Sequence, residues 1–189
     1  MPRVLITGIG GTMAVEICRS VRRDPSVRIL GADVGTWGRE IGRQLCDEVV
    51  SLPQIDAGKE QFIAALAGVI RDQGVDFLFV NPDAELETIA ELGWVPACGH
   101  AMPPPEVMSI FLDKTASVEA AGQSGDFPRT HNVSSPEDID AAFAALGSPL
   151  WMRCRVGPGG KGSIIVEDAE EARAWLRYWG RRGWPSSWM

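Results

Sequence analysis

Arg3-Val4-Leu5-Ile6-Thr7-Gly8-Ile9-Gly10-Gly11-Thr12-Met13-Ala14 opens with an apolar strand that runs straight into a glycine turn. Beyond the turn, Thr12 to Val21 mixes apolar and polar residues at near-helical spacing and reads as a helix. The pattern then recurs. Val27 to Ala32 is a second strand with Asp33 at its carboxyl end, and Glu48 to Leu52 is a third. Lys59 to Gln73 is an amphipathic helix whose stripe is Phe62, Leu66, Val69 and Ile70. Asp76 to Val80 is another apolar strand, followed by Asn81-Pro82-Asp83 and a helix over Ala84 to Leu92; Val95 to Cys98 reads as one more strand. Strand, turn and helix in repetition predict an α/β fold, a parallel sheet with helices on both faces. Such sheets hold ligands beyond the carboxyl ends of their strands. Here those ends carry Gly8 to Gly11, Asp33 and Asn81 to Glu85.

Met102-Pro103-Pro104-Pro105 interrupts this order, because consecutive prolines neither continue a sheet nor sit inside a helix. The expected organisation is a first domain over residues 1–102 and a second over 103–189. In the second, Glu106 to Leu112 and Lys114 to Ala121 read as helices and Phe127 to Val133 as extended chain. Ser135-Pro136-Glu137-Asp138 offers an N-cap, a first-turn proline and early acids for a helix ending near Leu146. Pro149 to Arg155 and Ser163 to Val166 are strands joined by a glycine-rich turn, and Asp168 caps a last helix through Arg177.

Composition narrows the partners. The 189 residues carry a formal charge of −7, with 23% charged and 45% apolar residues, and the pI is about 4.9. An acidic chain is poorly suited to a polyanion, so nucleic acid is excluded as the main partner. No apolar run reaches the length of a membrane span, and no basic stretch precedes an apolar one at the N-terminus, so neither a membrane nor a signal peptide is expected. Cys18, Cys46, Cys98 and Cys154 are scattered without a CxxC or Cys/His cluster. This is the usage of a cytoplasmic protein with unpaired thiols and no metal site.

Two glycine loops are candidates for anion binding. In the first, Gly8, Gly10 and Gly11 permit a tight turn and let backbone N–H groups face a ligand at a helix N-terminus. With Asp33 as a ribose acceptor, the loop is also compatible with a dinucleotide. The Tyr-x-x-x-Lys pair of short-chain reductases is missing, since Tyr178 is followed four residues later by Arg182. The second loop, Val156-Gly157-Pro158-Gly159-Gly160-Lys161-Gly162-Ser163, lies between strands and is not a P-loop, because Gly162 follows Lys161 and no helix begins there. A glycine hairpin of this kind can fold over a triphosphate. Arg153 and Arg155, two residues apart on the feeding strand, share one face, and two like charges there repel unless an anion lies between them or water screens them. Lys114 adds a third cation in a chain with only three lysines.

The ordered set resembles the N-terminal portion of ATP-grasp ligases, most closely proteins like the large subunit of carbamoyl phosphate synthase and its small stand-alone relatives. The resembling pieces are Pro82-Asp83-Ala84-Glu85-Leu86, Asp113-Lys114, Gly125-Asp126-Phe127-Pro128-Arg129-Thr130 with altered spacing, Pro149-Leu150-Trp151-Met152-Arg153 and Gly159-Gly160-Lys161-Gly162. The resemblance implies a Rossmann-like pre-ATP-grasp sheet followed by a small α+β ATP-grasp N-terminal subdomain. It implies that Lys114 and Arg153 contact ATP phosphates and that Gly159, Gly160, Lys161 and Gly162 cover the β- and γ-phosphates. Arg153 stands where most relatives have Lys, the variant of carbamoyl phosphate synthase-like members. Gly8, Gly10, Gly11, Asp83 and Glu85 would face the acceptor substrate. The implied reaction activates a carboxylate as an acyl-phosphate, which an amine or similar nucleophile then attacks.

The sequence departs from the family where acidic Mg²⁺ ligands and an Asn would follow. Glu167, Asp168, Glu170 and Glu171 read as partners of a helix dipole rather than metal ligands. Magnesium is therefore expected only with a second half, which a longer protein or a separate chain would supply, unless the chain is a degenerate relative. As given, it is expected to lack catalysis. Trp175, Trp179, Trp184 and Trp188 crowd the last 15 residues, the mark of a surface that packs on something, such as a second copy. Two readings from other classes compete: a Rossmann module that binds a dinucleotide or metabolite, and an interaction subunit that completes its site with another chain.

Overall fold

The computed structural model describes residues 1–122, 127–157, 160, 162–183 and 188–189. They form two compact units, Met1–Met108 and Ser109–Met189.

The first unit is built on a parallel sheet. Strands β1 (Arg3–Thr7), β2 (Arg28–Asp33), β3 (Glu48–Ser51), β4 (Phe77–Phe79) and β5 (Gly99–His100) lie in the order β3-β2-β1-β4-β5. Helices α1 (Thr12–Val21), α2 (Thr36–Leu45), α3 (Lys59–Asp72) and α4 (Asp83–Leu92) connect them. Side-chain alternation along β1 divides the core into two layers. Leu5 joins Leu30, Phe62, Leu66, Ile70 and Ile89 on the side of α3 and α4. Val4 and Ile6 join Ile9, Ala14, Cys18 and Ile29 on the side of α1. Large side chains such as Phe62 and Leu66, fully buried, contribute roughly 1.5–3 kcal/mol apiece.

The sequence reading leaves residues 34–47 without an element, yet α2 fills them. Its two glycines, Gly38 and Gly42, hide the helix from a propensity argument. They are required by contact instead. A Cβ on Gly38 would lie 2.1 Å from the Asp33 carboxylate, and one on Gly42 would lie 2.9 Å from Ile9. The last strand also sits later than expected, at Gly99–His100 instead of Val95 to Cys98, since its partners Phe77 and Leu78 set the register.

The second unit contains α6 (Lys114–Ala121), α7 (Asp138–Leu146), a β6 (Leu150–Met152) and β7 (Ile164–Val166) antiparallel pair, and α8 (Ala169–Gly180); α5 (Pro105–Leu112) precedes them. Asp168 caps α8 by accepting from the N–H groups of Glu170 and Glu171 at 2.8 and 2.9 Å. The expected Ser135 cap is not made. Asp138 Oδ2 instead accepts from the backbone N–H of Ser134 and Ser135, at 2.9 and 2.8 Å, and the helix begins at Asp138. Phe127 to Val133 makes no regular strand; Val133 alone bridges to Trp188. Trp188 is buried in the unit's core with Val133, Ile139, Met152, Cys154 and Val166, and Trp175 and Trp179 pack against that core. Trp184 lies outside the described residues. Among the described residues, no helix is long and apolar enough to cross a membrane.

Candidate functional site

Order β3-β2-β1-β4-β5 reverses direction between β1 and β4, and a crevice opens there beyond the strand ends. The Gly8–Gly11 turn leaves β1 and Asn81-Pro82 leaves β4. Asn81 ties them together: its Nδ2 donates to the Thr7 carbonyl at 2.8 Å. Gly8 adopts φ +58°, and a Cβ there would fall 2.4 Å from Pro82 Cγ. Only glycine meets both demands. The resulting cleft of about 540 Å³ is lined by Gly8, Gly11, Thr12, Asp33, Gln54, Asp56, Asn81 and Glu85, among others. Gly10 lies behind this lining, against Gly38 of α2.

Glu85 is the unusual group. It sits in the first turn of α4 and is 3% exposed. Its Oε2 is buried with no hydrogen-bond partner among the described residues. Desolvation pushes its carboxyl up to about 7; a hydrogen bond with Thr7 opposes this, and the nearby Asp33 carboxylate adds to it. A carboxyl poised near neutrality in a cleft is a candidate for binding a donor or a cation. Asp83, by contrast, is exposed at the start of α4. Asp33 is committed elsewhere, because Oδ2 accepts from the Gly10 N–H at 3.1 Å and Oδ1 from the Gly35 N–H at 2.7 Å. These bonds join the two glycine turns.

In the second unit, Asp113-Lys114 is laced to the strand that feeds the glycine loop. Asp113 bridges to Val156, and the Lys114 N–H donates to the Arg155 carbonyl at 3.1 Å. Lys114 Nζ donates to the Gly157 carbonyl at 3.0 Å, which puts its charge at the root of the loop. Asp113 caps α6 through the N–H groups of Thr115 and Ala116. It also takes Arg155 in a forked pair, with Nε 2.8 Å and Nη2 2.6 Å from Oδ2. Arg155, then the two helix N–H groups, hold the Asp113 carboxyl below the usual carboxylate range. The like-charge argument that calls for an anion beside Arg153 and Arg155 therefore has an internal answer for Arg155: its anion is Asp113.

Arg153 makes no salt bridge among the described residues. Its backbone exchanges two hydrogen bonds of 2.9 Å with Met189. Met152 and Cys154 are buried, so Trp151, Arg153 and Arg155 occupy the opposite face by alternation. Trp151 pairs across the hairpin with Ile165, and both are more than half exposed. The sequence reading did not single out this apolar pair, although alternation along the strand carries its signal. Arg153 also borders an apolar cavity of about 400 Å³ lined by Phe127, His131, Phe143, Leu146 and Trp151 among others; Lys114 does not line it. Of the loop residues, Gly160 closes a turn through the Ser163 N–H at 2.9 Å. Gly162 is fixed by packing: a Cβ would meet Cys154 Sγ at 2.4 Å, and its carbonyl accepts from Trp175 Nε1 at 2.7 Å. Gly159 and Lys161 lie outside the described residues, as do Gly125 and Asp126. Among the described residues no three His, Cys, Asp or Glu side chains are grouped to hold a metal ion.

The chain, a parallel sheet with its crevice followed by a unit whose hairpin is laced to Asp113-Lys114, is similar in sequence to a curated protein and in fold to solved structures. It is 30% identical over 178 residues to phosphoribosylamine–glycine ligase of Streptomyces coelicolor (strain ATCC BAA-471 / A3(2) / M145), a match covering 91% of this chain and 39% of that protein. No family model matches. Two solved structures are similar in fold. The biotin carboxylase domain of Hydrogenobacter thermophilus 2-oxoglutarate carboxylase, in complex with MgADP, ADP and bicarbonate, superposes with a TM-score of 0.58 at 15% identity, over 95% of this chain and 40% of that one. Biotin carboxylase of Campylobacter jejuni, in a complex with β,γ-ATP, gives 0.60 at 14% identity, over 93% and 40%. The chain thus spans about two fifths of the length of these relatives.

Proposed function

We propose that this chain supplies the phosphate-gripping and acceptor-binding parts of an ATP-dependent carboxylate–amine ligase in the cytoplasm. The observation that carries the reading is Lys114 at the root of the glycine loop, 3.0 Å from the Gly157 carbonyl. The ammonium is held by neutral carbonyls rather than by an acid, so its charge is left for an anionic ligand. Arg153, two residues before the Asp113-paired Arg155, is the second phosphate cation. Gly159, Gly160, Lys161 and Gly162 are assigned to cover the phosphates. Bound ATP would supply the phosphoryl group that activates a carboxylate as an acyl-phosphate. Magnesium in such a site is assigned to acids outside these residues, so the described chain is proposed to bind nucleotide without turning it over.

Gly8, Gly10, Gly11, Asp83 and Glu85 are assigned to the acceptor side. Among the described residues the cleft is lined by Asp33, Asp56 and Glu85 and by no Lys or Arg. That electrostatic character favours an amine over a second anion, with the ionised Glu85 as its acceptor. Arg153 in place of Lys supports a carbamoyl phosphate synthase-like branch. Self-association through the Trp-rich C-terminal stretch belongs to the same proposal. Trp188 is taken up by the core, and among the described residues of this stretch the half-exposed Tyr178 offers aromatic surface for it.

Titration with ATP or ADP tests the central assignment. The wild-type chain is expected to bind weakly, and Lys114→Ala with Arg153→Ala to weaken binding at least tenfold, since charge-assisted bonds contribute about 1.5–3 kcal/mol each. Equal affinity in the double variant, or preferential binding of NAD(P), rejects it.

A further inference from the structure

The only close approach of two thiols among the described residues lies on the side of the sheet that carries α1. Cys18, on α1, and Cys46, at the C-terminal cap of α2, place their Sγ atoms 3.9 Å apart. Three features make this a built arrangement. Gly31 in β2 leaves room for a sulfur, since a Cβ there would sit 2.8 Å from Cys46 Sγ. Arg22 fixes the end of α1 to the same turn, donating to the Leu45 carbonyl at 3.0 Å and to both Asp47 oxygens at 3.0 and 3.1 Å. The hydrogen bond between the two thiols lowers the Cys18 pKa and, with desolvation, raises that of Cys46, while the Arg22 guanidinium favours the thiolate at either. Finally, access is graded: Cys18 is 1% exposed whereas Cys46 is partly open.

We propose that Cys18 and Cys46 form a modification site that closes to an intramolecular disulfide when the protein meets a small-molecule disulfide oxidant such as oxidised glutathione. Cys46, the accessible thiol, loses its proton and attacks one sulfur of the oxidant, breaking its S–S bond and releasing one thiolate. The Cys18 thiolate then attacks Cys46 Sγ, forming the Cys18–Cys46 bond and releasing the second thiolate. The two protein protons end on the two released thiols, and two electrons pass from the cysteines to the oxidant. The sulfurs lie 3.9 Å apart, within about 2 Å of bonding distance. The bond would join α1, which leaves the Gly8–Gly11 turn, to the turn before β3. It is independent of the nucleotide assignment.

The test treats the whole chain with oxidised glutathione and reads its intact mass, its titratable thiols and a non-reducing peptide map. The expected product has lost the mass of two hydrogens, keeps two of the four thiols, links the Cys18 and Cys46 peptides, and reverts with dithiothreitol. Cys18→Ser should instead hold a stable glutathione adduct on Cys46. Four surviving thiols, a persistent adduct on wild-type Cys46, or a link between chains overturns the proposal. Circular dichroism of each sample confirms that the chain tested is folded.

Discussion

A carboxylate at 3% exposure destabilises a fold whenever it is ionised, and Glu85 is such a group. Its carboxyl is raised from 4.5 to about 7. Between those values the folded chain holds a proton that the unfolded chain has lost. Stability is therefore fully present below the unfolded value and falls as pH rises through about 7. Glu85→Gln removes this loss. The variant should gain on wild type by up to about 3 kcal/mol at roughly pH 8 and by little at roughly pH 5, at 1.36 kcal/mol per unit. Urea midpoints at the two values check this, and an equal difference at both would mean that Glu85 is not titrating. The sequence marked Glu85 only through its place after β4; its hydrogen-bond partner Thr7 and the nearby Asp33 charge are residues far away along the chain.

Among the elements, two helices share one device at different strength. Asp168 caps α8 and does nothing else visible, whereas Asp113 caps α6 and also holds Arg155. Loss of an Asp cap costs about 1 kcal/mol. Asp113→Ala also leaves Arg155 without its partner, so it should cost about 2 kcal/mol against about 1 for Asp168→Ala, the partly exposed pair adding under 1. Chemical denaturation of both variants measures the difference, and equal losses would reject a structural role for the Asp113–Arg155 pair. Elements with an apolar stripe or an end signal were legible: α1, α3, α6 and the Asp168 cap stand where the residues put them. Helix α2 was not, because Gly38 and Gly42 serve packing against Asp33 and Ile9, and packing has no local signature.

For the molecule as a whole, each unit encloses its own apolar cores. With Trp188 at 4% exposure, any homo-oligomer formed through this region has to use surface such as Tyr178, which is 44% exposed, stacks on Trp175 and lies under Arg182. Sedimentation velocity should give a concentration-dependent dimer that Tyr178→Ser returns to monomer; a monomer at every concentration rejects self-association.

The sequence by itself determined the α/β class, the two glycine loops and the order of the motifs. Strand periodicity, glycine turns and motif spacing are local, so a linear reading reaches them. Tertiary structure alone decided how the charges are used. It joined Arg155 to Asp113, engaged Asp33 between two glycine turns, set Lys114 against the Gly157 carbonyl, and buried Glu85 where desolvation raises its carboxyl. Each of these follows from distance and dielectric between residues remote in the chain, and both quantities exist only once the chain has folded.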